Sequence, residues 1–212
     1  TKPAWCMGML GTKNRTFGNI VGHVKGVTDM GSLAEWTNHQ FDPTLDWTSV
    51  DFIRKQWHGK LILKGINDVD DALLAVQTAA DAIIVSNHGG RQLDGGPASI
   101  YMLGAIVDAV GDKIEVFFDS GIRTGIDIMK AMAMGAKGTM VGRAYIYGLG
   151  AGGEAGVTRA LEILKGELDI TMGLCGEKDI TKVGRHNLML PTPPFTIPAP
   201  SRAPAKPRST RR

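Results

Sequence analysis

The chain has 212 residues, of which 43% are hydrophobic and 21% charged, and its formal net charge is +3. This composition is typical of a globular protein, and no stretch reaches the roughly 18–20 apolar residues that a membrane-spanning helix needs. The two cysteines, Cys6 and Cys175, exclude a disulfide framework and favour a reducing cytoplasm.

The first segment, residues 1–46, is rich in glycine and carries scattered large apolar residues without a sustained period. A stretch of this length without regular structure is typically a functional loop or lid. We therefore predict that residues 1–46 form a loop or lid segment.

From residue 47 the sequence alternates between helix and strand signals, because short apolar runs are followed by apolar residues at helical spacing. The strands are predicted at 61–64, 82–86, 115–119 and 138–142, and the helices at 47–57, 67–79, 97–110, 125–134 and 153–172, with Pro97 in the first turn of its helix.

Four strand–helix units in series predict a parallel α/β sheet with right-handed crossovers. Either a (β/α)8 barrel or a doubly wound sheet would contain such units. Four units are half of a barrel, and a half barrel leaves two open edges and an uncovered interior. We therefore expect the other half to be missing from this chain.

The stretch of residues 82–96, AIIVSNHGGRQLDGG, is the most informative part of the sequence. It runs from a strand that is apolar on both faces into a polar, glycine-rich turn. The turn holds a titratable base, His88, and a fixed cation, Arg91, at the carboxyl end of the strand, where α/β barrels carry their catalytic residues. This pattern indicates a catalytic or binding site.

Polar or glycine residues also end the other predicted strands. Lys64 ends the first, the string DSGIR (119–123) follows the third, and Gly142-Arg143 follows the fourth. Glycine backbone N–H groups and guanidinium groups both suit phosphate oxygens. The last two strand ends therefore predict a phosphate site, which barrels commonly place after strands seven and eight.

The C-terminal residues 189–212 form a Pro/Arg-rich tail. From Pro191 on, the chain has five basic residues and no acidic one, which leaves the rest with a net charge of −2. Because such a composition cannot bury a core, we expect the tail to be disordered and solvated, with contact to anionic lipid or nucleic acid as the alternative. The body shows no basic patch with interleaved aromatic residues, which disfavours nucleic-acid binding.

Four strings, LILKG, IIVSNHGGRQLDG, FFDSGIRTGIDIMKAMAMGA and VGRAYIYGLGAGGEAG, resemble the C-terminal half of the FMN-dependent 2-hydroxy-acid dehydrogenase/oxidase family, with bacterial L-lactate dehydrogenases the most similar members. The resemblance covers residues 41–186. It implies a (β/α)8 TIM barrel in which residues 47–188 supply the last four βα units, with FMN as the cofactor. The first four strands, and the aspartate that orients the active-site histidine in this family, would lie in the absent half.

The resemblance also implies residue roles. His88 matches the base that removes a proton from the substrate, and Arg91 matches the residue that binds the substrate carboxylate. Lys64 matches the lysine beside the flavin N1/C2 carbonyl. The remaining implied FMN contacts are Ser86 at the ring and Asp119, Gly121, Arg123, Gly142 and Arg143 at the ribityl chain and phosphate.

The implied activity is oxidation of an L-2-hydroxy acid, with L-lactate to pyruvate favoured, and with electrons passed to a quinone or cytochrome. The alternatives are an oxidase that uses oxygen with glycolate or a longer acid, and a non-catalytic half-barrel fragment. The family further implies a homotetramer and the upstream half of the barrel as a partner. No metal is expected, because the aspartates at 68, 70 and 71 lie at a predicted helix start, where the positive end of the helix dipole favours anionic side chains.

The position of residues 1–46 matches the loop that anchors membrane-associated members of this family. Tryptophan, methionine and leucine between Trp5 and Trp36 suit a membrane interface. The two alternatives are therefore an anchor that holds a cytoplasmic protein to the inner face of the membrane, and a lid that packs on the barrel.

Overall fold

The structure is a computed structural model that describes residues 3–12, 17–40 and 42–189. The chain folds as two compact units, Thr1–Ser49 and Val50–Arg212. Apart from Met189, the predicted disordered tail lies outside the described residues.

The first unit contains regular structure, so the prediction of a segment without it was wrong. Helix α1 spans Pro3–Gly11 and α2 spans Met30–Gln40, and α3 begins in this unit and spans Trp47–Gln56. Helix α1 has no charged residue and no buried one, so it lacks the alternation of apolar and polar faces by which a helix is detected from sequence. In the part of the chain that the structure describes, no helix is both long and apolar enough to span a membrane.

A sheet of parallel strands forms the centre of the second unit, as predicted. Its strands lie side by side in chain order, each paired with the next. The bounds are Ile62–Ile66 for β1, Ala82–Val85 for β2, Glu115–Phe118 for β3 and Gly138–Thr139 for β4. The connecting and following helices are α4 (Val69–Gln77), α5 (Ser99–Val110), α6 (Gly125–Ala133) and α7 (Arg143–Leu174).

The core of this unit is built on β2 and α5. Every residue of β2 is buried, as its continuous apolar run predicts for a strand covered on both faces. Leu103, Ile106 and Val110 of α5 are fully buried at helical spacing. The rigid centre of the sheet therefore carries the turn that follows β2.

Capping side chains fix where two of the helices begin. Asp68 caps α4 by accepting a hydrogen bond from Asp70 N at 2.8 Å, in agreement with its predicted place at a helix start. Thr124 and Asp127 form a reciprocal capping box at the start of α6. Asp127 Oδ2 also accepts from Arg123 N at 3.0 Å, which holds the turn between β3 and α6.

Two predicted boundaries near the end of the barrel segment were wrong. Strand β4 has two residues instead of the predicted five, and α7 begins at Arg143 instead of residue 153. The backbone leaves the helical conformation at Gly152 and Gly153 inside α7. The glycines that concealed the first part of this helix in the sequence are thus the site of its break.

The prediction that Pro97 lies in the first turn of its helix was also wrong. Helix α5 begins at Ser99, and the Pro97 carbonyl accepts a hydrogen bond from Asn67 Nδ2 at 3.0 Å.

Candidate active site

A cleft of about 390 Å³ lies where the chain leaves the carboxyl ends of the strands. Its walls come from β1, from the turns after β2, β3 and β4, and from the start of α7. Because parallel strands end at one edge of the sheet, residues far apart in sequence meet here. The predicted site residues that line it are Lys64, His88, Arg91, Asp119, Gly121, Arg123, Gly142 and Arg143. The structure therefore brings these predicted residues together.

Lys64 is held at one side of the cleft by two oxygen atoms. Its Nζ lies 2.8 Å from Asp119 Oδ2 and 2.9 Å from Ser86 Oγ. Ser86 is buried beneath the cleft and so reaches it through Lys64. Ser86 and Asp119, which were predicted to contact the cofactor, thus hold the side chain of Lys64 in place in this structure.

Asp119 is an ionised carboxylate in a largely buried position, with its side chain 16% exposed. Burial by itself would raise the pKa of Asp119. Hydrogen bonds from Lys64, Ser86 and Ser120 and the positive charge of Lys64 outweigh burial and hold that pKa below its usual value. Asp119 therefore keeps its negative charge beside Lys64 at neutral pH.

Residues 86–91, named here the histidine turn, follow β2 in an uncommon backbone conformation. His88 has φ +55°, and Gly89 and Gly90 follow at +67° and +75°. His88 N donates to Ser86 Oγ at 3.1 Å and Gly89 N donates to Asn87 Oδ1 at 3.0 Å. Left-handed conformations are rare for a residue with a side chain, so these contacts compensate for the strain at His88.

Gly65 lets the imidazole of His88 lie against β1. A Cβ atom at Gly65 would be only 2.8 Å from His88 Cε1, and Gly65 has φ +94°. Both the space and the backbone conformation therefore require glycine at this position. The "KG" that ends the LILKG string thus provides a cation and the gap for the histidine.

The start of α7 forms the basic end of the cleft. Arg143 is the first residue of α7, and its Nη2 donates to the carbonyl of Gly89 in the histidine turn at 3.2 Å. Arg123 lines the same cleft. Unpaired N–H groups at a helix start and two guanidinium groups together suit a phosphate.

Seven lining residues were not selected as site residues from the sequence, and four of them, Ser120, Gln92, Met140 and Ile146, contribute polar or large apolar side chains. Ser120 lies within the DSGIR string, where its neighbours were selected and it was not. Gln92 follows Arg91, and Met140 and Ile146 add apolar surface next to the basic end. Residue type and spacing carry no signal for the last three, because an isolated glutamine, methionine or isoleucine is common on any surface.

These residues fit an FMN molecule. The cleft volume lies within the range of about 300–1,000 Å³ that small-molecule sites occupy. Met140 and Ile146 offer apolar contact to a ring, Lys64 offers a cation, and the start of α7 offers phosphate ligands. Gly121 has φ +100° and open space where a Cβ atom would lie, so the backbone there is accessible to a ligand.

Comparison with known proteins agrees with the geometry. The family described as FMN-dependent dehydrogenase matches residues 1–190. An L-lactate dehydrogenase from Caulobacter vibrioides is 41% identical over 184 residues, which are 86% of this chain and 48% of that protein. The chain thus spans about half the length of the curated relatives it matches.

Solved structures support the same assignment. The monotopic membrane protein (S)-mandelate dehydrogenase is 35% identical with a TM-score of 0.80, over 88% of this chain and 49% of that one. A mandelate oxidase variant with a monooxide FMN adduct is 46% identical with a TM-score of 0.62, over 64% of this chain and 43% of that one. The four parallel strands fit the last four βα units of a TIM barrel. The chain belongs to the FMN-dependent dehydrogenase family, and its cofactor is FMN.

Proposed function

We propose that this chain, together with four further βα units that complete the barrel, oxidises an L-2-hydroxy acid to the corresponding 2-oxo acid. The observation that carries this proposal is the cleft itself, in which a base, His88, and two cations, Arg91 and Lys64, lie with a phosphate-binding end. In this proposal, L-lactate is the substrate and pyruvate the product. The L-lactate dehydrogenases among the relatives support that choice.

FMN, when bound, supplies the acceptor for the two electrons that leave the substrate. Lys64 would hold its ring and place a positive charge there, and Ser86 would act at the ring by holding Lys64 in place. The other contacts, at the ribityl chain and the phosphate, would come from Asp119, Gly121, Arg123, Gly142 and Arg143.

Arg91 binds the substrate carboxylate in this proposal. Its planar guanidinium group can donate two parallel hydrogen bonds to the two carboxylate oxygens. This pairing fixes the orientation of the substrate, and so places its Cα–OH group relative to His88.

His88 accepts one proton from the oriented substrate at an imidazole nitrogen. The proton comes either from the hydroxyl group or from Cα, and these alternatives distinguish the two possible routes of oxidation. In both, the substrate loses two electrons and two protons in total. The aspartate that orients this histidine in the family would be supplied by the completing units.

The proposed electron acceptor is a quinone or a cytochrome, and the proposed location is the inner face of the cell membrane. Helix α1 supports this location because its exposed apolar residues include Trp5, Met7 and Leu10. A solved neighbour is a monotopic membrane protein. The proposed assembly is a homotetramer. An oxidase that passes electrons to oxygen is the alternative.

A comparison of acceptors and substrates tests this proposal. The FMN-loaded protein, meaning this chain with the units that complete its barrel, is assayed with L-lactate, glycolate and (S)-mandelate, using a soluble quinone or oxygen. We expect kcat/KM for L-lactate to exceed that for each other acid by about tenfold or more, as pocket fit typically provides. Hydrogen peroxide formed in equal amount to the oxidised acid would contradict the quinone as electron acceptor. A higher kcat/KM for (S)-mandelate than for L-lactate would contradict L-lactate as the substrate.

A further inference from the structure

Ser120 connects the buried ion pair of the cleft to the histidine turn. We propose that Ser120 is a positioning residue, whose hydroxyl group fixes the peptide after His88 by joining it to the Asp119 carboxylate. This inference rests on the proposed function, because it assigns importance to the placement of the His88 imidazole.

The backbone of Ser120 is the first observation. Its φ is +77°, and among the residues that the structure describes only Ala79 and His88 share a positive φ without being glycine. A side chain is unfavourable in this conformation, whereas glycine adopts it freely. The serine side chain at this position therefore needs contacts that compensate for its backbone.

The hydroxyl group of Ser120 makes those contacts. It donates to Asp119 Oδ1 at 2.7 Å and accepts from Gly89 N at 3.2 Å. A serine hydroxyl has one proton, so its donation to the carboxylate leaves its lone pairs to accept from the peptide N–H. The other carboxylate oxygen of Asp119 binds Lys64. One continuous path thus joins Lys64 to the histidine turn.

The path matters because of where Gly89 N lies. The peptide between His88 and Gly89 sets the orientation of the His88 backbone, and with it the direction of the imidazole. Asn87 Oδ1 also accepts from this N–H at 3.0 Å, but Asn87 belongs to the same turn and would move with it. Ser120 belongs to the turn after β3, so its hydrogen bond to Gly89 N fixes the position of His88 relative to a different turn of the sheet.

Two substitutions at Ser120 separate the hydroxyl group from the backbone conformation. Ser120→Gly removes the hydroxyl and the strain, whereas Ser120→Ala removes the hydroxyl and keeps a Cβ atom. Ala79→Gly is the matched control, because it relieves the same kind of strain at φ +55°, after α4 and outside the cleft. All three are measured in the FMN-loaded protein for kcat, KM, thermal stability and hydrogen exchange of the amides of residues 88–90.

We expect both Ser120 variants to lose about tenfold in kcat, the factor that corresponds to one lost hydrogen bond, with less than a twofold change in KM. The amide of Gly89 should exchange faster in both, and Ser120→Gly should melt above Ser120→Ala. Ala79→Gly should change neither kcat nor the exchange of residues 88–90.

Two results would overturn the proposal. One is wild-type kcat and amide exchange in Ser120→Gly, and the other is a loss of kcat confined to Ser120→Ala, which would assign the effect to backbone strain. If the wild-type protein oxidises no 2-hydroxy acid, the proposed function fails, while the exchange of the Gly89 amide still decides whether Ser120 fixes the turn.

Discussion

Replacement of His88 by glutamine is expected to slow the reduction of bound FMN by an L-2-hydroxy acid by about 10²–10⁴-fold, the usual contribution of a general base. Glutamine has a similar size and can form hydrogen bonds, but it cannot accept a proton at neutral pH. The FMN contacts that we propose come from other residues, so the flavin-to-protein ratio should stay that of the wild type. Anaerobic rapid mixing with L-lactate measures the rate, and the visible spectrum measures the flavin content.

His58→Gln is the matched control for this experiment. His58 is an exposed histidine in the loop before β1 and does not line the cleft. The same chemical change there should leave the rate unaltered. A His88→Gln protein that is reduced as fast as the wild type would show that another group removes the proton.

Replacement of Arg91 by methionine is expected to lower kcat/KM by about 10²-fold or more, the range found when one partner of a hydrogen-bonded charge pair is removed. Methionine keeps much of the side-chain length but cannot bind the substrate carboxylate. KM should rise and kcat should fall, because the substrate loses both a binding contact and the contact that orients its Cα–OH group towards His88. Steady-state kinetics over a wide range of L-lactate concentrations measure both constants.

Arg91→Lys tests the geometry of this contact separately from its charge. Lysine keeps the positive charge but cannot donate two parallel hydrogen bonds to one carboxylate. Its kcat/KM should therefore lie between those of the wild type and of Arg91→Met. An unchanged KM in Arg91→Met would exclude Arg91 as the carboxylate ligand.

The parts of the fold that could be predicted are those in which local pattern and tertiary environment agree. The apolar run of β2 is buried on both faces, and its predicted and observed bounds differ by one residue. Helix α1 could not be predicted, because it is apolar without a period and has no buried residue. The start of α7 could not be predicted either, because glycine has a low helix propensity. In the structure, the backbones of Gly148 and Gly156 approach each other so closely that neither position has space for a Cβ atom.

The candidate site could be predicted to a similar degree. Glycines and charged residues at strand ends indicated the cleft, since parallel strands bring their carboxyl ends together. The role of Gly65 as the gap for His88 depends on a contact between two strands, and the bridge made by Ser120 depends on a contact between two turns. Such contacts have no signature in residue spacing, so only the structure could reveal them.

The central claim is that this cleft transfers electrons from a 2-hydroxy acid to FMN, and anaerobic titration of the FMN-loaded protein tests it most directly. We predict that L-lactate removes the visible absorbance of the bound flavin, that pyruvate forms in equal amount to the reduced FMN, and that D-lactate has no effect. If the flavin keeps its absorbance with L-lactate, glycolate and (S)-mandelate alike, the claim is contradicted.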